Sequence, residues 1–323
     1  MSQPGHPSAL LPHLSFVAVY VLWGMNMSSL KFGAAAWQDP VLFNGYRYLS
    51  IIPLLWAYTY WYYRKHSLTW IMPPRHVLWM SLMGILSAVG MEVVLTYALQ
   101  YSNTANGAVL GRGFMPIITA LLALCMRELR LTWRILAGIP LALASVVLIV
   151  GGGEHGFHIS AETLRGDLLL LLRSLFGAIY LIGVGKMMNR YPLPLLVSVE
   201  MTAGAIVLLP YVLWQTDLSA LAALPQSGWI SLAYTSVAAT ALGFTLHNWS
   251  LGKLGPFKSS VYGYLLPVTA AISGYILLGE QIGWNQIVGG AGVLLAMYLV
   301  QQDRMQLLKQ ARTTAQIRRD ADA

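Results

Sequence analysis

Apolar residues fall along this chain in ten runs of about 20, separated by short polar breaks. The runs span 12–34, 41–61, 77–100, 106–126 and 133–151, then 167–187, 194–214, 227–251, 258–278 and 284–302. A helix needs about 20 apolar residues to cross about 30 Å of hydrocarbon, so each run reads as a membrane span. The breaks carry turn residues: Asp39-Pro40, Pro73-Pro74, Gly151-Gly152-Gly153, Tyr191-Pro192 and Gly255-Pro256. The second five runs repeat the first five. Ala98 to Val109, followed by Pro116 and Glu128, is matched by Ser250 to Val261, followed by Pro267 and Glu280, at an offset of 151 or 152 residues. Trp133 meets Trp284 at the same offset. Because five is odd, the second repeat must enter the bilayer with opposite orientation. The expected architecture is an all-α membrane protein of ten transmembrane helices in two inverted five-helix repeats, 12–151 and 167–302, with a basic tail at 303–323. Inverted repeats meeting at the midplane are the architecture of secondary transporters.

Composition sharpens this picture. Hydrophobic residues make up 57% and charged residues 10%, against about 25% charged in soluble domains. The net charge of +8 does not indicate a nucleic-acid partner, because the basic residues sit in short loops and the tail. Fifteen of the 20 Lys and Arg residues fall on one predicted side, among them Arg64, Lys65, Arg75, Lys186 and Arg190. The positive-inside rule then puts both termini in the cytoplasm of a cell (plasma or inner) membrane protein whose partners are the lipid bilayer and a small-molecule substrate. Met1 to Pro12 carries no Lys or Arg, so the first run reads as an uncleaved span rather than a signal peptide. Cys125 has no second cysteine to pair with. The chain carries no phosphate-binding Gly-x-x-x-x-Gly-Lys-Ser/Thr loop, no His-Glu-x-x-His, no Cys-x-x-Cys and no Gly-x-Ser-x-Gly. No cofactor, metal site or catalytic residue is therefore expected.

Trp23-Gly24-Met25-Asn26, Lys31, Pro40 and the Phe43-x-x-x-Arg47 step, with Ala98-Leu99-Gln100-Tyr101, Pro116, Arg127-Glu128 and Gly138, resemble an EamA domain. The stretch from Asp167 to about Gln301 resembles a second, with Phe176-Gly177-Ala178 in place of Trp23-Gly24-Met25. The chain thus resembles the ten-helix EamA type of the drug/metabolite transporter superfamily. The resemblance implies export of small metabolites, often amino acids or related compounds, or of toxic organic molecules. It also implies a central cavity lined by the first, third, fourth, sixth, eighth and ninth helices.

Charges inside spans cost about 2.5–3.5 kcal/mol each on insertion scales, so each asks for a reason. At about 1.5 Å per residue, Arg47, Arg112 and Arg173 lie roughly 9–10 Å inside the external ends of their spans. Glu92 climbs from the cytoplasmic side to the same level. A Glu92–Arg112 pair is the first expectation, leaving surplus positive charge for a substrate carboxylate; a structural clamp with snorkelling arginines is the alternative. Arg47, on a helix not expected to line the cavity, reads as structural. Trp23 and Asn26 share a helical face, and with Tyr180 and Tyr264 they are candidates to hold the substrate body. Glu200 and His247, in the cytoplasmic half, are candidates for proton coupling. Glu128 and Glu280, at helix ends, read as structural. Pro116 and Pro267 are expected to kink the fourth and ninth spans. Gly107-x-x-x-Gly111 and Gly289-Gly290-x-Gly292 allow close helix approach, the latter offering a seam for a homodimer. Two other classes compete with a transporter: a membrane-embedded lipid-modifying enzyme using Glu92 or His247 as base, and a passive channel.

Overall fold

A computed structural model describes residues 10–69, 71–126, 132–153, 156–157, 161–188, 190–263, 265–300 and 302. Among these, ten long helices follow one another: α1 (Leu11–Trp37), α2 (Pro40–His66), α3 (Pro74–Ala98), α4 (Thr104–Leu122), α5 (Trp133–Gly151), α6 (Ala161–Met188), α7 (Leu193–Gln215), α8 (Gln226–Tyr262), α9 (Leu265–Leu278) and α10 (Trp284–Val300). Gly152–Gly153 pairs with Gly156–Phe157 in a two-residue antiparallel bridge between α5 and α6. By length and apolar composition, α3, α4, α6, α7 and α8 qualify as membrane spans, and α9, α10 and the Trp133–Ile149 stretch of α5 are shorter apolar helices. Helices α1 and α2, of 27 residues each, are long enough but diluted by polar positions such as Asn26, Lys31, Asn44 and Arg47.

Local chemistry sets most of the helix starts. Asp39 accepts from the amides of Val41 and Leu42 and so caps α2, with Pro40 at its first position. Asn103 caps α4 through the amide of Asn106. Helices α3 and α7 begin with prolines, whose missing amide costs nothing in a first turn.

One boundary differs from the sequence expectation. The helix through α8 does not stop at Gly255-Pro256 but continues to Tyr262, and α9 starts at Leu265 rather than 258. The corresponding turn in the first half is nucleated by the Asn103 cap, whereas no Ser, Thr, Asn or Asp stands between Gly252 and Pro256 to start a new helix. Pro267 accordingly lies in the first turn of α9, and Pro116 follows a break at Phe114, so neither kinks a continuous span from its middle.

Packing organises the ten helices around α1 and α6. Helix α1 packs on α8 and α9; helix α6 packs on α3 and α4; α2 crosses α7. Close backbone approach is visible at Gly24, where a Cβ would fall 2.1 Å from Thr269 Oγ1, and at Gly84, where it would fall 2.2 Å from the carbonyl oxygen of Glu200. Gly289 and Gly292 lie against Ser145 and Ile149 of α5, so this glycine cluster is used inside the chain. The largest apolar core joins α1, α4, α5, α6, α9 and α10 through residues such as Phe16, Leu30, Leu110, Leu170, Ala270 and Val293.

Three helices widen into π turns: Leu86–Val93 in α3, Val109–Gly113 in α4 and Tyr234–Leu242 in α8. Such turns leave main-chain carbonyls without their usual partner. Here side chains claim them. Trp23 Nε1 donates to Ala239 O at 2.9 Å and Thr240 Oγ1 to Thr235 O at 2.7 Å. Arg173 donates to Gly111 O and Ser174 to Leu110 O.

Candidate functional site: a buried arginine cluster beside an aromatic wall

Glu92 lies in the π turn of α3 and draws three guanidinium groups. Arg47 of α2 approaches its Oε2 at 2.8 Å, while Arg173 of α6 and Arg112 of α4 approach Oε1 at 3.5 and 3.7 Å. The expected Glu92–Arg112 pair is therefore the loosest of the three contacts, and Arg47 is the tightest. The physical reason is α2: Asn44, itself held by Pro40 O and Thr96 Oγ1, accepts from Arg47 Nη1 and aims the guanidinium at Glu92. Arg47 thus joins the cluster as the arginine that Glu92 holds most tightly. Arg173 is 1% exposed, whereas the Arg112 side chain keeps 26%. The Nε atoms of Arg112 and Arg173 are buried and find no hydrogen-bond partner among the described residues.

Glu200 and Tyr180, assigned separate roles in the sequence, meet. The Tyr180 hydroxyl donates to Glu200 Oε2 at 2.7 Å, and Ser87 of α3 also reaches this carboxylate. Glu200 is buried and Tyr180 partly buried, and Glu200 lies within electrostatic range of Glu92. Trp23 and His247 likewise share one wall. Their ring centroids are 5.1 Å apart, with Phe16, Tyr20 and Phe244 around them. Tyr20, three residues before Trp23 and so on its face, lies within electrostatic range of Arg112 and links the aromatic wall to the charge cluster. Tyr20 was missed in the sequence although its spacing from Trp23 was visible. Asn26 is buried on the same helix, and its Oδ1 has no partner among the described residues. Tyr264 and Glu128 lie outside the described residues.

At the other end of α1, Lys31 Nζ contacts Glu280 Oε1 at 2.7 Å and donates to Ser102 O at 3.0 Å. Glu280 Oε2 accepts from the amide and hydroxyl of Thr104 at 2.9 and 2.6 Å. Asp167 accepts from Ser102 Oγ at 2.6 Å and from Asn106 Nδ2 at 3.1 Å. This network ties α1, α4, α6 and the loop after α9 together, so Glu280 is structural in a way that joins both halves. A separate apolar groove of about 580 Å³, lined by Trp56, Val77, Ser81, Leu195, Thr202 and Ile206, contains none of the candidate residues.

The chain is similar over most of its length to proteins named as transporters or as a probable efflux pump. An uncharacterized transporter of Archaeoglobus fulgidus is 27% identical over 89% of this chain and 96% of the relative. A Salmonella typhimurium protein named as a probable amino-acid metabolite efflux pump is 25% identical over 87% and 91%. The uncharacterized inner membrane transporter YedA of Escherichia coli is 25% identical over 88% of each chain. A solved crystal structure shares the fold at a TM-score of 0.59 and 16% identity, covering 92% of this chain and 98% of that one. The EamA-like transporter family matches twice, at residues 10–151 and 164–301, so this chain is a multi-pass membrane protein that belongs to the EamA-like transporter family.

Proposed function

We propose that this protein is a secondary exporter of small organic carboxylates with an apolar or aromatic body, working by alternating access of two inverted five-helix repeats. The carrying observation is the arginine cluster: three guanidinium groups share one carboxylate, and two of them keep a buried Nε with no partner among the described residues. A substrate carboxylate would satisfy Arg112 and Arg173, while Trp23, Tyr20 and Tyr180 would hold the body and Asn26 Oδ1 would accept from its donor. An amino acid fits this set of groups, and the Salmonella relative's name points the same way. The inverted-repeat reading is supported by the packing. Helix α1 with α8 and α9 has its counterpart in α6 with α3 and α4, and α2 crosses its own repeat mate α7. Glu200, held by Tyr180 and close to the cluster, is the better placed of the two proton-coupling candidates; His247 sits in the aromatic wall.

The test is counterflow of labelled apolar and aromatic amino acids into liposomes containing the purified protein. Saturable counterflow is expected, reduced at least tenfold in Arg112→Ala and Arg173→Ala. Variants that fold and transport normally would remove the arginines from the substrate site.

A further inference from the structure

We propose that in the absence of substrate the cluster holds a halide-sized inorganic anion at Arg112 and Arg173, and that the substrate carboxylate displaces it. The displacement step rests on the carboxylate reading above; the resting anion rests on charge count and geometry alone. Arg47 is bound tightly by Glu92, which leaves Arg112 and Arg173 to share the remaining carboxylate oxygen at 3.7 and 3.5 Å. Their heads therefore lie close together, with like charges that repel in a low-dielectric interior. Among the described residues the carboxylates at the ends of the spans are engaged elsewhere: Asp39 caps α2, Asp167 serves Ser102 and Asn106, and Glu280 serves Lys31. Glu200 faces Tyr180 and makes no ion pair with an arginine. Even counted as ionised, Glu200 brings the negative charge to two against three.

A buried cation without a counterion is costly, and the unpartnered Nε groups each add an unmet donor. A small anion answers both deficits at once. It also has a route, since the Arg112 side chain keeps partial exposure while Arg173 is sealed by Gly111 O.

The experiment is carried out on the purified wild-type transporter without substrate. It is exchanged into sodium isethionate, which carries no carboxylate, and titrated with sodium bromide at constant ionic strength while the thermal unfolding midpoint is followed. The account predicts a saturable upward shift, half-maximal at millimolar bromide, with no further bromide increment once a transported carboxylate saturates the site. Bromide-soaked crystals should show anomalous density in hydrogen-bond contact with Arg112 or Arg173. Arg112→Gln should abolish the shift; if that variant does not fold, the bromide density in the wild type decides. A midpoint that does not respond to bromide, or density only away from both arginines, overturns the proposal. Halide binding without carboxylate transport would instead leave this proposal standing and count against the transport reading.

Discussion

At the residue scale, Glu92 is the organising group of the membrane interior. One carboxylate contacts three guanidinium groups at 2.8, 3.5 and 3.7 Å, so its removal leaves three arginines with no carboxylate in contact among the described residues. Breaking a buried pair from one side costs about 3–5 kcal/mol, more than an exposed pair is worth. Glu92→Gln keeps the shape and deletes the charge. It should lower stability by about 3 kcal/mol or more, read as a fall in the thermal midpoint, and added bromide should restore part of the loss. A midpoint equal to wild type would mean that Glu92 is not charged in the folded protein. The sequence exposed the four charges at one depth but not their pairing. Which arginine faces Glu92 depends on how α2, α3, α4 and α6 are rotated against one another. That rotation is set by contacts such as Asn44 with Thr96, which join residues 52 apart in the chain.

At the element scale, the π turns of α3, α4 and α8 interrupt regular helix, and in α4 and α8 side chains such as Arg173 and Trp23 bond their carbonyls. Glu200 of α7 meets α3 where Gly84 permits backbone contact, immediately before the π turn that carries Glu92. A proton on Glu200 would change its bond to Tyr180 and the field felt at Glu92, so the coupling would act through α3. Glu200→Gln should therefore flatten the pH dependence of counterflow while leaving the substrate concentration at half-maximal rate within about twofold. An unchanged pH profile would show that Glu200 does not couple transport to protons. Helix existence was legible in the hydrophobic runs, and Trp133 and Trp284 both start helices as their repeat spacing suggested. The α8–α9 boundary was not, because Gly255-Pro256 looks like a stop while the chain there lacks the capping side chain that would begin a new helix. The π turns left no readable pattern either, since they arise from tertiary partners such as Trp23 and Arg173.

At the scale of the whole molecule, two halves joined at the middle of the bundle share one interior of charge and aromatic rings. The duplication could be read by eye from Ala98 to Val109 against Ser250 to Val261, and the twofold family match at 10–151 and 164–301 covers the same halves. Convergence could not: Trp23 with His247 and Lys31 with Glu280 are contacts across more than 200 residues, brought about only by the packing of α1 on α8 and α9. The central claim is that this shared interior recognises a carboxylate. The most direct measurement is competition in the counterflow assay between a transported amino acid and its own amide, which keeps the body and removes the negative charge. The account predicts that the amide competes at least tenfold more weakly than the acid, with the difference abolished in an active Arg112→Gln variant. Equal competition by acid and amide in the wild-type protein would contradict it.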